Sequence, residues 1–114
     1  MTKEDAKRAI AEWTAEEYDY VFDEMEYADE PDNKIAIAYC EYRDKVDVDE
    51  QWYVDLDDKV FYCELNGERE PELDKRFDTY EVALMCLDFD WLIGEADGYI
   101  EEHLDKFEKI FKEV

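Results

Sequence analysis

The stretch QWYVDLDDKVFYCEL, residues 51–65, decides the fold. Its period-two alternation reads as two strands, 51–56 and 60–65, turning at Asp57-Asp58. A two-residue turn there pairs Val54 with Phe61 and Trp52 with Cys63. Trp52, Val54, Phe61, Cys63 and Leu65 then share one face, the core side. The outer face carries Tyr53, Asp55, Tyr62 and Glu64, aromatic rings set among acids.

Outward from the hairpin, residues 35–43 (IAIAYCEYR) read as a third strand with Ile35, Ile37 and Tyr39 on one face. Asn66-Gly67 is a turn signal, and 67–78, with Pro71, reads as a loop or a short edge strand. Residues 3–27 read as an amphipathic helix capped by Thr2 with Asp5 three residues on. Its apolar side holds Ala6, Ile10, Trp13, Tyr18, Val21, Phe22 and Met25, and Ala28–Asn33 forms the loop after it. A second helix begins at Asp78 or Thr79. Its stripe runs through Val82, Met85, Cys86, Phe89, Leu92, Ile93, Ala96, Ile100, Leu104, Phe107 and Phe111. Gly94 and Gly98 predict a kink or a split into helices 79–93 and 97–113. The expected fold is a single α+β domain over 1–114, αβββαα: a three-stranded antiparallel sheet, with room for a short fourth edge strand, packed on these helices.

The charge restricts function. The 114 residues hold 36 acidic and 13 basic side chains, a formal charge of −23. Solubility needs a net charge of only about 2–8 in a small domain. Three Trp, six Phe and nine Tyr supply a core that acidic disordered tails lack, so a folded body carries the excess. A halophile would also be acidic, but nine Lys and abundant aromatics fit that origin poorly. The acids are segregated. Ala9–Asn33 has ten Asp/Glu and no Lys or Arg, Phe77–Asp105 has nine and none, and Asp44–Asp58 has seven against Lys45 alone. Such an arrangement suits a basic protein partner and repels phosphate ligands.

Chemistry-bearing motifs are scarce. Cys40, Cys63 and Cys86 are dispersed and read as free, mostly buried thiols in a reducing cytoplasm. No signal peptide opens the chain and no apolar run reaches the roughly 20 residues of a membrane span. Asp55 and Asp57 are followed by Lys59 and Val60, which breaks EF-hand spacing, and one His with three scattered Cys does not make a zinc site. His103 reads as a surface or helix-packing residue, with no nucleophile motif around it. No catalytic residue, metal or cofactor is assigned.

In length, charge, the acid-only stretches Ala9–Asn33 and Phe77–Asp105, and compact α/β order, the chain resembles the acidic DNA-mimic inhibitors of bacterial defence. These are the anti-CRISPR and anti-restriction proteins of phages and mobile elements. The resemblance is one of character, without a shared motif. It implies a non-enzymatic inhibitor in the bacterial host cytoplasm, monomeric or dimeric. Such an inhibitor would occupy the DNA- or PAM-binding cleft of a CRISPR effector nuclease or a restriction enzyme, with no direct nucleic-acid or membrane binding. The central hairpin departs from the helical rods of some mimics and favours a compact plug. Candidate partner-binding residues are Glu16, Asp19, Asp23 and Glu26 on the first helix, and Asp47, Asp49, Glu50, Asp55, Asp57 and Asp58 on and before the hairpin. Tyr53 and Tyr62 on its outer face and Asp88 and Asp90 on the later helix complete the set. Other readings are an immunity protein or antitoxin against one cognate nuclease, and a non-inhibitory acidic adaptor.

Overall fold

A computed structural model describes residues 1–17 and 34–112. The expected α+β architecture is present: one helix, an antiparallel sheet, then further helices. Helix α1 (Lys3–Glu17) opens with a reciprocal cap. Thr2 Oγ1 accepts from the Asp5 N–H at 3.1 Å, and Asp5 Oδ2 accepts from the Thr2 N–H at 3.2 Å. The helix runs unbroken past Trp13 and buries Ala6, Ile10 and Thr14 against β1 (Lys34–Tyr42). Trp13 itself is 46% exposed, so the inner face follows the 6-10-14 row rather than the broader stripe that includes Trp13. The remainder of the helix expected over 3–27, with Asp19, Asp23 and Glu26, lies outside the described residues.

Strand β1 pairs with β2 (Val48–Asp55), and β2 with β3 (Val60–Leu65). The hairpin register is the expected one: Val54 faces Phe61 and Trp52 faces Cys63. The turn is longer than two residues. Leu56–Lys59 loop out, Lys59 adopts φ 52°, and Asp55 Oδ1 accepts the N–H groups of Asp57 and Asp58 at 3.0 Å each. This Asx turn closes the loop where Asn-Gly is absent. Asn66-Gly67, both at positive φ (53° and 83°), turns β3 into β4 (Glu68–Arg69). A 3₁₀ turn (Pro71–Leu73) leads to β5 (Lys75–Arg76), which returns to the other end of β3. The single expected edge strand is thus two short ones on the same neighbour.

In β1 the register shifts between Ala36 and Ala38. This bulge reverses the side-chain alternation beyond it. Ile35 and Ile37 stay in the core, Ala38 and Tyr42 join them, and Tyr39 leaves the core face assigned to it from the sequence.

The outer face of the hairpin is not an open aromatic patch. Tyr53 and Tyr62 stack at 5.2 Å between ring centroids and form a second buried cluster with Ala36 and Val60. Asp55 is buried beside them. The Arg69 guanidinium lies 4.3 Å from the Tyr62 ring centre and Lys34 5.8 Å. Tyr53, Tyr62 and Asp55, expected on an open outer face, are therefore buried.

Three helices follow: α2 (Tyr80–Cys86), α3 (Phe89–Glu102) and α4 (Leu104–Lys112). Thr79 Oγ1 caps α2 through the Val82 N–H at 3.3 Å, and Asp88 Oδ1 caps α3 through the Trp91 N–H at 3.2 Å. Breaks fall at Leu87-Asp88 and at His103, while α3 passes straight through Gly94 and Gly98, both on its exposed side. The Asp88 break resets the helical phase. Ala83 and Leu87 therefore face inward, with Tyr80 and Leu84 packed behind them, and Val82, Met85 and Cys86 are exposed rather than part of the core stripe. Phe89, Leu92, Ala96, Ile100 and Phe107 complete the core as expected.

Candidate functional site

The bulge in β1 builds the site. Beyond it Tyr39 and Glu41 point to the outer face, and Glu41 stands directly opposite Asp49 of β2. Like charges in facing positions repel unless something holds them. Here a neutral hydroxyl does so: Tyr39 Oη–H donates to Glu41 Oε1 at 2.9 Å, with Asp49 Oδ1 at 3.4 Å. Tyr42 keeps its ring in the core and sends its hydroxyl to the rim. There Asp44 Oδ2 and Glu101 Oε1 each lie at 3.4 Å. The Asp49 backbone is pinned by the Asn66 turn, N–H to Asn66 Oδ1 at 3.0 Å and carbonyl from the Asn66 N–H at 2.8 Å.

Five carboxylates, Glu41, Asp44, Asp47, Asp49 and Glu101, so gather at this end of the sheet. The cations beside them are Arg43, which bridges Glu41 at 2.8 Å and also pairs with Asp47, and Lys45 in the same loop. The electrostatics record the excess. The Tyr39 phenol is pushed up to about 12 by its bond to Glu41, then by burial and the charge of Asp49. Tyr42 is also pushed up to about 12, by burial first and then by Glu101 and Asp44. The Glu41 carboxyl is held below its ordinary value by Arg43 and then Tyr39.

Glu50 lies beneath this end and is not a surface ligand. It shares the core face with Trp52 and is fully buried, one oxygen accepting from Trp52 Nε1 at 2.7 Å and Oε1 without a partner among the described residues. Burial pushes its carboxyl up to about 8, against the pull of the Trp52 bond and with a further push from Asp97. Asp97 of α3 also buries one oxygen without a partner among the described residues, and its carboxyl is raised by burial and by Glu101.

The remaining sequence candidates do not join this cluster. Asp57 and Asp58 are exposed at the far tip of the hairpin, roughly 20 Å or more along β2 at about 3.4 Å per residue. Asp57 there binds Lys3 at 2.6 Å. Asp88 and Asp90 are exposed at the start of α3, about 20 Å along its axis from Glu101. Glu16 is exposed on α1. Of the acids proposed from sequence, Asp47 and Asp49 are thus together. The reading missed Tyr39, Glu41, Tyr42, Asp44 and Glu101, because the strand alternation gives no sign of the bulge and Glu101 arrives from a distant helix.

The arrangement can accept hydrogen bonds from guanidinium and ammonium groups at fixed positions. Among the described residues no three His, Cys, Asp or Glu side chains are grouped as metal ligands would be. His103 caps α3, its Nδ1 2.9 Å from the Tyr99 carbonyl oxygen and its ring stacked on Tyr99. Cys63 is buried and Cys86 exposed, and burial raises the Cys40 and Cys63 thiols, which suppresses the thiolate. No described helix is long and apolar enough to cross a membrane. No protein-family model, curated protein or solved structure matches the chain.

Proposed function

We propose that the chain is a protein inhibitor that presents carboxylates in place of nucleic-acid phosphates to a basic cleft. Its target class is a nuclease of bacterial defence, a CRISPR effector or a restriction enzyme, and it acts in the cytoplasm of the bacterial host. One observation carries the reading. At the end of the sheet Glu41, Asp44, Asp47, Asp49 and Glu101 gather with Arg43 paired to only two of them, and the hydroxyls of Tyr39 and Tyr42, which carry no charge to cancel theirs, stand among the others. Phosphates on DNA are likewise charges held at set positions, and a groove of Lys and Arg recognises both. The net charge of −23 draws such a groove in from a distance. No catalytic role is assigned to any residue.

The test is competition. Purified CRISPR effectors and restriction enzymes are titrated with labelled target DNA in the presence and absence of the protein. The expected outcome is loss of DNA binding to at least one of them, relieved by Glu41→Lys with Glu101→Lys. Undiminished DNA binding across the panel at saturating protein rejects the reading.

A further inference from the structure

The reset of helical phase at Asp88 leaves an apolar groove on the side of the molecule away from the acidic end. Its walls are Met85 of α2, 85% exposed, and Trp91 of α3, 45% exposed, with Phe77 buried at its base. It encloses about 530 Å³. Exposed methionine beside exposed tryptophan is costly in water and adaptable to a ligand.

The charges around the groove are nearly all committed. Asp74 binds Arg69 at 2.9 Å, and Asp88 caps α3. Lys75 binds Glu95 at 3.1 Å and lies 5.3 Å from the Trp91 ring centre. Arg76 is the exception: it is exposed, lines the groove, and its side chain has no ion-pair or hydrogen-bond partner among the described residues. In a chain with 36 acids, Arg76 is a guanidinium with no carboxylate paired to it among the described residues, and it stands beside an apolar cleft. At physiological salt, charges more than about 8 Å away are largely screened, so a ligand in the groove responds to the charges that line it, among which Arg76 alone has no side-chain partner among the described residues. The floor adds direction. Arg76 belongs to β5, which pairs with β3 on one side and has no strand on the other among the described residues. Such an edge accepts an extended chain.

We propose that this groove docks an extended peptide segment of a partner protein, one that carries a large apolar side chain next to a carboxylate. The apolar side chain lies between Met85 and Trp91, the carboxylate meets Arg76, and the backbone runs along β5. This surface is separate from the acidic end and does not depend on the inhibitor reading.

The experiment is selection of a random decapeptide display library on the wild-type protein, followed by titration of synthetic winners. The ¹³C-methyl resonance of Met85 is the readout, assigned with Met85→Leu. Expected winners place Leu, Ile, Phe or Trp within two positions of Asp or Glu and shift the Met85 signal. Their affinity falls at least tenfold in Arg76→Glu and at least fivefold in Met85→Ala. Both side chains are exposed, so unchanged melting curves verify the fold, and Arg76→Gln is the milder second variant. The overall charge favours basic peptides, so acidic winners cannot arise from the general field. The proposal is overturned by basic winners, by winners indifferent to Arg76 and Met85, by no enrichment at all, or by a Met85 signal of the free protein that moves on dilution. The last outcome assigns the groove to a second copy of this chain.

Discussion

The two ends of the sheet hold acids in equal number by partly different means. Around the hairpin tip stand Asp55, Asp57, Asp58, Asp78 and Glu81. There Lys3 binds Asp57, the N-terminal ammonium binds Glu81 at 3.2 Å, and backbone N–H groups fill Asp55. At the far end stand Glu41, Asp44, Asp47, Asp49 and Glu101. Arg43 serves two of them, Tyr39 Oη–H donates to Glu41 beside Asp49, and the Tyr42 hydroxyl stands between Asp44 and Glu101 with one proton to give. A cation fixes a carboxylate and cancels it, whereas a phenol fixes it and leaves the charge for a partner. Ion pairs reach two of the five acids at each end, so the ends differ in the neutral hydroxyls that Tyr39 and Tyr42 bring to the far one.

The largest effect should come from the acid beneath the charged end. Glu50 holds its proton up to about pH 8 in the folded chain, while an unfolded Glu releases it near 4.5. Between those values the folded state binds the extra proton, so stability is fullest below about pH 5 and is lost as pH rises through about 8. At pH 7 the loss is about 3 kcal/mol at 1.4 kcal/mol per unit. Glu50→Gln keeps the acceptor for Trp52 and can turn its amide N–H to a carboxylate such as Asp97. Urea unfolding from pH 5 to 9 should show a falling stability for wild type and a nearly flat one for the variant. Equal slopes would mean that this region is not the strained one.

Next in size is the association rate. Glu41→Lys with Asp49→Lys should slow binding to a nuclease found by competition at least tenfold at low salt. Asp57→Lys with Asp58→Lys, the same change in charge at the tip, should slow it less than threefold. Stopped-flow measurement at two salt concentrations checks this, and equal slowing would erase the distinction between the ends.

A smaller effect tests the phenols. Tyr39→Phe and Tyr42→Phe should each cost about 1 kcal/mol at neutral pH. Both hydroxyls titrate at about 12, so their contribution is whole below about pH 10 and is lost as pH rises through 12. Phenolate absorbance should show Tyr39 and Tyr42 titrating late in wild type, beside Tyr99, which burial and Glu70 also raise, and one fewer late group in each variant. Early titration of both would place the acids out of reach.

What was legible follows from where the signals were local. The hairpin register, the Asn66-Gly67 turn and the caps at Thr2 and Thr79 each rest on a few adjacent residues, and they stand as read. The β1 bulge was not legible, because Ile35, Ala36, Ile37 and Ala38 are all apolar and alternation cannot mark a change of parity. The Asp88 cap was a readable stop signal. The glycines drew the predicted break away from it, and with it the phase that exposes Met85. Glu50 alternates with Trp52 and Val54, so its inward position was written in the pattern, and its charge alone argued for the surface. Glu101 needed the tertiary fold, since Tyr42 meets it across 59 residues.

The smallest effect concerns the strut between the two ends. Helix α3 starts beside the groove with Asp88 and finishes with Glu101 at the acidic end. Gly94 and Gly98 lie on its exposed side, and a Cβ at either position would meet no heavy atom within 4 Å. Nothing in their backbone demands glycine, since neither has positive φ. Alanine there removes unfolded-state freedom at no steric cost, a gain of about 0.5–1 kcal/mol at each site. Thermal melting of Gly94→Ala with Gly98→Ala should rise by about 4 °C or more. The Tyr39 and Tyr42 titrations should not move, because a stiffer strut leaves the acids where they were. A lower melting temperature, or phenols that titrate earlier, would show that α3 bends at its glycines and that the spacing of the two ends is not fixed.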